Sequence, residues 1–415
     1  MGRQVPRVAR VGVAGKPRMS TPKLGDGGVL ERLEARLRAA QEAAKACAAP
    51  KAPRQRKADG RGHFFAVDAR TWGHVCAQGM APACAYLVLA RFSGGDNATT
   101  KASVQAIEKH TAISRRHARA ALDALVAAKA IEQSTTPRGF PLYKLRAWRE
   151  VSPTPVAESD APQWVWLPNE LVTGTTAGEV PPVERVRQTG DVGALRLLVD
   201  LYNAHDLAGD GGIAANVLWW PYTRAHVATV GACAAWAFVR EGDKWGSNTG
   251  PHIEPHITTK TVPRPGKAHA TERVFTAFWD RFQVLERLGF LHWYANVYDN
   301  PNGGEVVYPL GSPYDAKAPP TEMEQRLYRA AHAAAAAVAE RAGVELPANH
   351  VCAVVPAHMG NVGVRAVARL RYRPKTSTTA RWFYDLNTTG EAWARRLEAV
   401  AAQDFGAIVG AAVGE

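Results

Sequence analysis

The chain has 415 residues, of which 46% are hydrophobic and 12 are Trp, enough for two to four domains with well-formed cores. Its 51 Lys and Arg against 38 Asp and Glu leave a formal net charge of +13, which favours polyanionic partners. No apolar run reaches the roughly 18 residues of a membrane span, no apolar stretch of a secretory leader follows the N-terminal arginines, and five scattered cysteines without a C-x-x-C pair fit reduced thiols in a cytoplasm.

Residues 1–28 are rich in Gly, Pro and Arg and are expected to be disordered. Val29–Ala48 reads as an amphipathic helix carrying Leu30, Leu33 and Leu37. A docking helix and a solvated helix fit it equally. Pro50–Gly62 is a basic linker, so residues 1–62 form a basic tail. His63–Val67 then suggests a strand.

The next stretch is the most informative. Pro82–Arg91 predicts a helix with Tyr86, Leu87 and Leu89 inside, ended by a Gly-Gly-Asp-Asn turn at Gly94–Asn97. Ser103 is placed to cap a second helix, Val104–His110, with Val104 and Ile107 on one face. After a turn at Thr111–Ile113, Ser114 is placed to cap a third. Arg115, Arg116, His117 and Arg119 open that helix, and Ala118, Leu122, Leu125 and Val126 form its apolar face. Ile131–Gln133 and Pro141–Leu145 read as two strands around a Pro137–Gly139 turn with Arg138 at its tip.

Ser103–Lys129 resembles the helix-turn-helix of bacterial winged-helix proteins, and Ile131–Leu145 resembles their wing. That resemblance implies a winged DNA-binding domain over 63–150. It puts Ser114, Arg115, Arg116, His117 and Arg119 on a recognition helix entering the major groove of double-stranded DNA. Ser103 caps the preceding helix, while Lys101, Lys109 and Arg138 fall where phosphates are contacted. Charge supports this independently. Residues 1–150 hold 27 basic and 11 acidic residues, a net of +16, against −3 for the rest. The tail explains part of that excess, with 14 basic and 5 acidic residues in 1–60.

Residues 151–162 are rich in Pro, Ser and Asp and read as a linker. Beyond it, Trp164–Leu167 suggests a strand and Asp191–His205 a helix carrying Leu195, Leu198, Val199 and Tyr202. Thr271–Leu288 suggests a long helix leading into Phe290–Tyr298 and Val306–Leu310. Leu122–Gln133 and Phe282–Trp293 share a helix, a tight corner and the start of a hairpin. The expectation is a second winged-helix unit over 163–312, interrupted by an insertion at 206–270 containing Trp219, Trp220, Trp236 and Trp245. A generic helix–hairpin in an α+β domain fits the same pattern. The helix start there is apolar (Phe275, Phe278, Trp279) and suits packing better than base reading, whether it dimerises or holds the insertion. Lys267, His269 and Arg273 offer backbone contacts at most, and the basic loop Pro263–Lys267 reads first as a solvated segment.

The C-terminal region, 313–415, starts with a Pro-rich joint. Thr321 is placed to cap Glu322–Ala342, followed by strands at Val351–Val355 and Val362–Tyr372 and a helix at Gly390–Val400. Arg365, Arg369, Arg371 and Arg373 alternate onto one strand face. A solvated face paired with glutamates, a phosphate-contacting face and a site for an acidic partner all fit. The predicted fold is α+β, with tandem winged-helix domains and a small C-terminal α/β domain.

Catalytic signatures are sparse. There is no GxxxxGK[ST] loop, and Gly209–Gly212 reads as a plain turn. His252 and His256 flank a proline with no third ligand nearby, and Tyr294 and Tyr298 fit a hairpin core better than a nucleophile. No enzyme, cofactor or metal is expected. Paired winged units of this size resemble the plasmid and phage Rep replication initiators, which implies origin binding, homodimerisation, recruitment of host replication proteins and a cytoplasmic, nucleoid-associated place. A transcriptional regulator with a ligand- or partner-sensing C-terminal region is the alternative.

Overall fold

The first strand pairing among the described residues is non-local. Phe64–Asp68 (β1) runs antiparallel to Trp164–Pro168 (β5), with Phe65 opposite Leu167 and Val67 opposite Val165. Everything between them is an excursion from that two-stranded ladder. The computed structural model describes residues 63–409, except 156, 158–160, 176–177, 207–210, 215–216, 241–245, 248–252, 263–269, 303, 312–321 and 349. The expected tail with its 29–48 helix, Trp245, His252, the 263–267 loop, His269, the 313–320 joint and Thr321 all lie outside the described residues.

Within the excursion come Ala69–Cys76 (α1), Met80–Arg91 (α2), Thr99–Thr100 (β2), Val104–Thr111 (α3) and Arg115–Ala127 (α4). Ile131–Thr135 (β3), Pro141–Leu145 (β4) and the single turn Trp148–Val151 (α5) complete it. Helix α2 is buried all round from Pro82 to Ala90, as its Ala, Cys, Leu and Val content dictates. It is the pillar against which α3 and α4 pack. The strands form an antiparallel sheet in the order β2-β4-β3. Asp68 closes the excursion, its buried carboxylate accepting the Arg70 amide (3.1 Å) at the start of α1 and the Trp148 amide (2.8 Å) at the far end.

After β5 the chain forms Glu170–Thr173 (α6), Pro182–Thr189 (α7) and Val192–Asn203 (α8). Asp191 caps α8 through the Gly193 and Ala194 amides. The short strands His205–Asp206 (β6) and Gly212–Ile213 (β7) pair with each other. Leu218–Val230 (β8), Cys233–Arg240 (β9) and Gly246–Ser247 (β10) follow, then the hairpin Thr258–Val262 (β11) with Ala270–Val274 (β12). The chain ends with Thr276–Arg287 (α9), Leu291–Tyr298 (β13), Val306–Gly311 (β14), Glu322–Ala342 (α10), Val351–Pro356 (β15), Gly363–Leu370 (β16) and Ser377–Ala401 (α11).

Strands β14-β13-β16-β8-β9-β15 join in that order into one antiparallel sheet, with β10 added to β8. Helix α10 lies against it and α11 packs on α10. The buried alanines 330, 331, 334 and 335 allow that close approach.

The protein is thus mixed α+β, but several expected boundaries do not hold. The supposed insertion supplies β8 and β9, the middle of the sheet, and the C-terminal region supplies β15 and β16. Residues 163–312 and 313–415 therefore share one core, and the second helix–hairpin block has no small sheet of its own. The expected 271–288 helix begins as strand β12, which pairs antiparallel with Thr258–Val262. The last helix begins thirteen residues earlier than position 390, at Ser377. Val126 is exposed at 38%, and the inner face of α4 is Ala118, Ala121, Leu122 and Leu125.

The two compared blocks do share their corner. The Ala130 amide reaches the Leu125 carbonyl and the Lys129 amide that of Val126. Phe290 and Gly289 make the equivalent bonds to Leu285 and Glu286. Both are Schellman endings, which place one residue in the left-handed region. Gly289 sits there at φ 71° and Lys129 at φ 58°. A side chain in that region costs about 1 kcal/mol. Lys129→Gly should therefore stabilise the fold by up to about 1 kcal/mol, read as a raised urea midpoint, whereas Gly289→Ala should lower it.

Candidate nucleic-acid interface

The residues singled out by sequence lie on α3, on the first turn of α4, after β2 and at the tip of the β3–β4 hairpin, and each of them is exposed. Ser103 caps α3 by accepting the Ala106 amide (3.3 Å). Ala112 then takes a left-handed conformation at φ 52° and turns the chain toward α4. The bend is pinned from inside, where buried Thr111 donates its hydroxyl to the Ile107 carbonyl (2.6 Å) and accepts the Ile113 amide (3.3 Å).

Ser114 stands at the N-cap position of α4, yet its hydroxyl caps no amide. It meets His117 Nδ1 at 2.9 Å instead. The expectation of a capping serine is corrected to that extent. The unmet first-turn amides and the positive end of the helix dipole therefore face outward with Arg115, Arg116, His117 and Arg119, all exposed. The arginines are not equivalent. Arg115 Nε lies 2.7 Å from Glu108 Oε2 on α3, which neutralises part of its charge. Arg116 and Arg119 have no carboxylate within 4 Å among the described residues.

Lys101 and Lys109 are exposed, the first after β2 and the second in the last turn of α3. The hairpin is paired from Ile131 opposite Leu145 to Thr135 opposite Pro141. Its tip closes when the Thr136 amide reaches the Phe140 carbonyl (2.8 Å) and Gly139 adopts φ 77°. Arg138 is exposed there. Beside it stands Phe140, 64% exposed, a residue that the sequence reading does not single out. The signal for it was an aromatic between Gly139 and Pro141, where no core is within reach.

Other candidates resolve differently. His256 is 2% exposed and both its ring nitrogens are engaged, Nε2 with Asp200 (2.7 Å) and Nδ1 with Arg281 (3.4 Å). It is an internal pairing residue, and no group of metal-ligating side chains occurs among the described residues. Tyr294 and Tyr298 are buried. On β16, Arg365 donates to the Pro301 carbonyl and Arg369 is 1% exposed, bonded to the Gly211 carbonyl and Glu324. That face is no solvated sheet surface. No described helix is long and apolar enough to cross a membrane.

The two serines give a direct check. Ser103→Ala should cost about 1 kcal/mol of stability through the lost cap, and Ser114→Ala less than about 0.5 kcal/mol. Urea unfolding of the two variants measures the difference. Comparison with protein-family models, curated proteins and solved structures finds no match to this chain.

Proposed function

We propose that this chain is a sequence-specific double-stranded DNA-binding protein of the winged helix-turn-helix kind. The observation that carries the reading is the exposed N-terminal turn of α4, where Arg116 and Arg119 have no carboxylate within 4 Å among the described residues, together with the exposed Arg138 at the tip of the β3–β4 hairpin. A helix of this width fits the major groove, and an arginine there can make paired hydrogen bonds to guanine. Arg138 reaches the neighbouring backbone or minor groove, and Lys101 and Lys109 flank the helix as phosphate contacts.

The process served is replication initiation at the origin of a plasmid, phage or integrative element. Support for this comes from Phe140, an apolar wedge on a basic hairpin tip. Such a side chain can unstack a base step and bend the duplex, which origin opening needs. The reading includes a homodimer and host replication proteins as partners. The transcriptional-regulator reading is favoured by a different feature, the cationic cavity described below.

Gel-shift titration against a selected site tests the surface. Arg116→Ala should cost about 1–3 kcal/mol at the specific site and much less on random DNA. Arg115→Ala should cost less than Arg116→Ala, since Glu108 already holds that side chain. Phe140→Ala should leave affinity nearly intact but remove bending and permanganate reactivity in an adjoining AT-rich stretch. Unchanged bending would remove the initiator reading, and specific binding indifferent to Arg116 would remove the recognition helix.

A further inference from the structure

A second concentration of positive charge lies far along the chain from α4, where β16 runs into α11. The exit of the strand carries Arg371, Arg373 and Lys375 in alternation, and Thr376 then caps α11. These side chains, with Glu170 and Phe383, line an open cavity of about 510 Å³. That is within the range of small-ligand sites, about 300–1,000 Å³.

The charge in this cavity is only partly answered. Lys375 is paired with Glu170. Neither Arg371 nor Arg373 has a carboxylate within 4 Å among the described residues. Arg373 is half-buried and donates Nε to the Leu370 carbonyl (3.1 Å), with its guanidinium 4.0 Å over the Phe383 ring. Behind it stands Arg369, whose one carboxylate partner is Glu324 and whose Nη2 has no partner among the described residues. Burial, and then the charge of Arg369, disfavour the Arg373 cation. Burial and the same arginines hold His292 and His205 down to about 3, so both imidazoles are neutral.

The dipole adds to this. Helix α11 is 25 residues long and its N-terminus opens on the cavity. Thr376 satisfies the Thr379 amide through its side chain (3.1 Å) and the Ala380 amide through its carbonyl (2.9 Å). The Ser377 and Thr378 amides have no partner among the described residues. Guanidinium groups with no carboxylate within 4 Å among the described residues, together with first-turn helix amides, are the groups that can hold a phosphate. Phe383, one face of which Arg373 covers, supplies an aromatic ring against which a base can pack.

We infer that this cavity binds a free nucleotide, its phosphates held by Arg371, Arg373, Lys375 and the first turn of α11, and its base against Phe383. The inference is independent of the DNA-binding reading, since it uses none of the α4 surface. A DNA strand carries the same phosphate chemistry, and the test separates the two sources.

The experiment is calorimetric titration of the full chain with ATP, and with inorganic pyrophosphate as a probe lacking a base. Both should bind saturably and compete. Arg371→Glu, at an exposed position, should weaken both by about tenfold or more, the worth of one charge-assisted contact, without lowering the melting temperature of the unliganded protein. Lys375→Ala repeats the test should Arg371→Glu prove unstable. Phe383→Ala should weaken ATP and spare pyrophosphate. The inference is overturned by no saturable binding at millimolar ATP, by ATP binding that both charge variants retain, or by their loss of duplex-DNA affinity with no ATP binding to lose.

Discussion

The pairing of β1 with β5 decides where the cationic helix stands. Residues 69–163 leave the ladder as an excursion and return to it, so α2, α3, α4 and the hairpin are anchored at both ends. Asp68 reinforces the closure by holding one amide at each end of the excursion with a single carboxylate. Buried and shared in this way, it cannot be replaced by an apolar group without leaving two backbone donors unmet. The polar turn of α4 faces outward because α2, apolar on every side, takes up the inner faces of α3 and α4.

The second half is organised by a different constraint. Seven strands drawn from three stretches that look separable in sequence make one sheet, and the Ala-rich α10 covers it. Its interior holds unusual polar content: Arg369 with Glu324, and His256 with Asp200. The β16 exit gathers more cations than these carboxylates balance. Two positive sites thus coexist in one chain, one convex on α4 and one concave at α11, and the two shapes suit different ligands.

Much of the first unit was legible because its signals are local. The spacing of Ala118, Leu122 and Leu125, the serine at 103 and the Pro-Arg-Gly turn each act within a few residues, and the elements fell where those signals put them. The 160-residue offset between Leu125 and Leu285 was readable for the same reason, since a Schellman corner needs only a few neighbouring residues. The sheet was not legible. Pro221 within β8 argues against an interior strand, yet it pairs with Arg365 on β16. The start of α11 is rich in Thr, with Gly390 further on, and intrinsic preference alone did not extend the helix to Ser377. Alternation placed Arg365 and Arg369 on one face but could not say whether water or core lay beyond it. Phe140 was missed because exposure, unlike periodicity, is a property of the folded surface.

The central claim is that the first turn of α4 reads a DNA sequence. Selection of bound duplexes from a random library, run in parallel for the native chain and for the Arg116→Ala/Arg119→Ala variant, tests it most directly. The account predicts one enriched motif for the native chain, and for the variant only weak, salt-sensitive binding with no motif. Enrichment of the same motif by both would contradict it, and would place sequence reading somewhere other than α4.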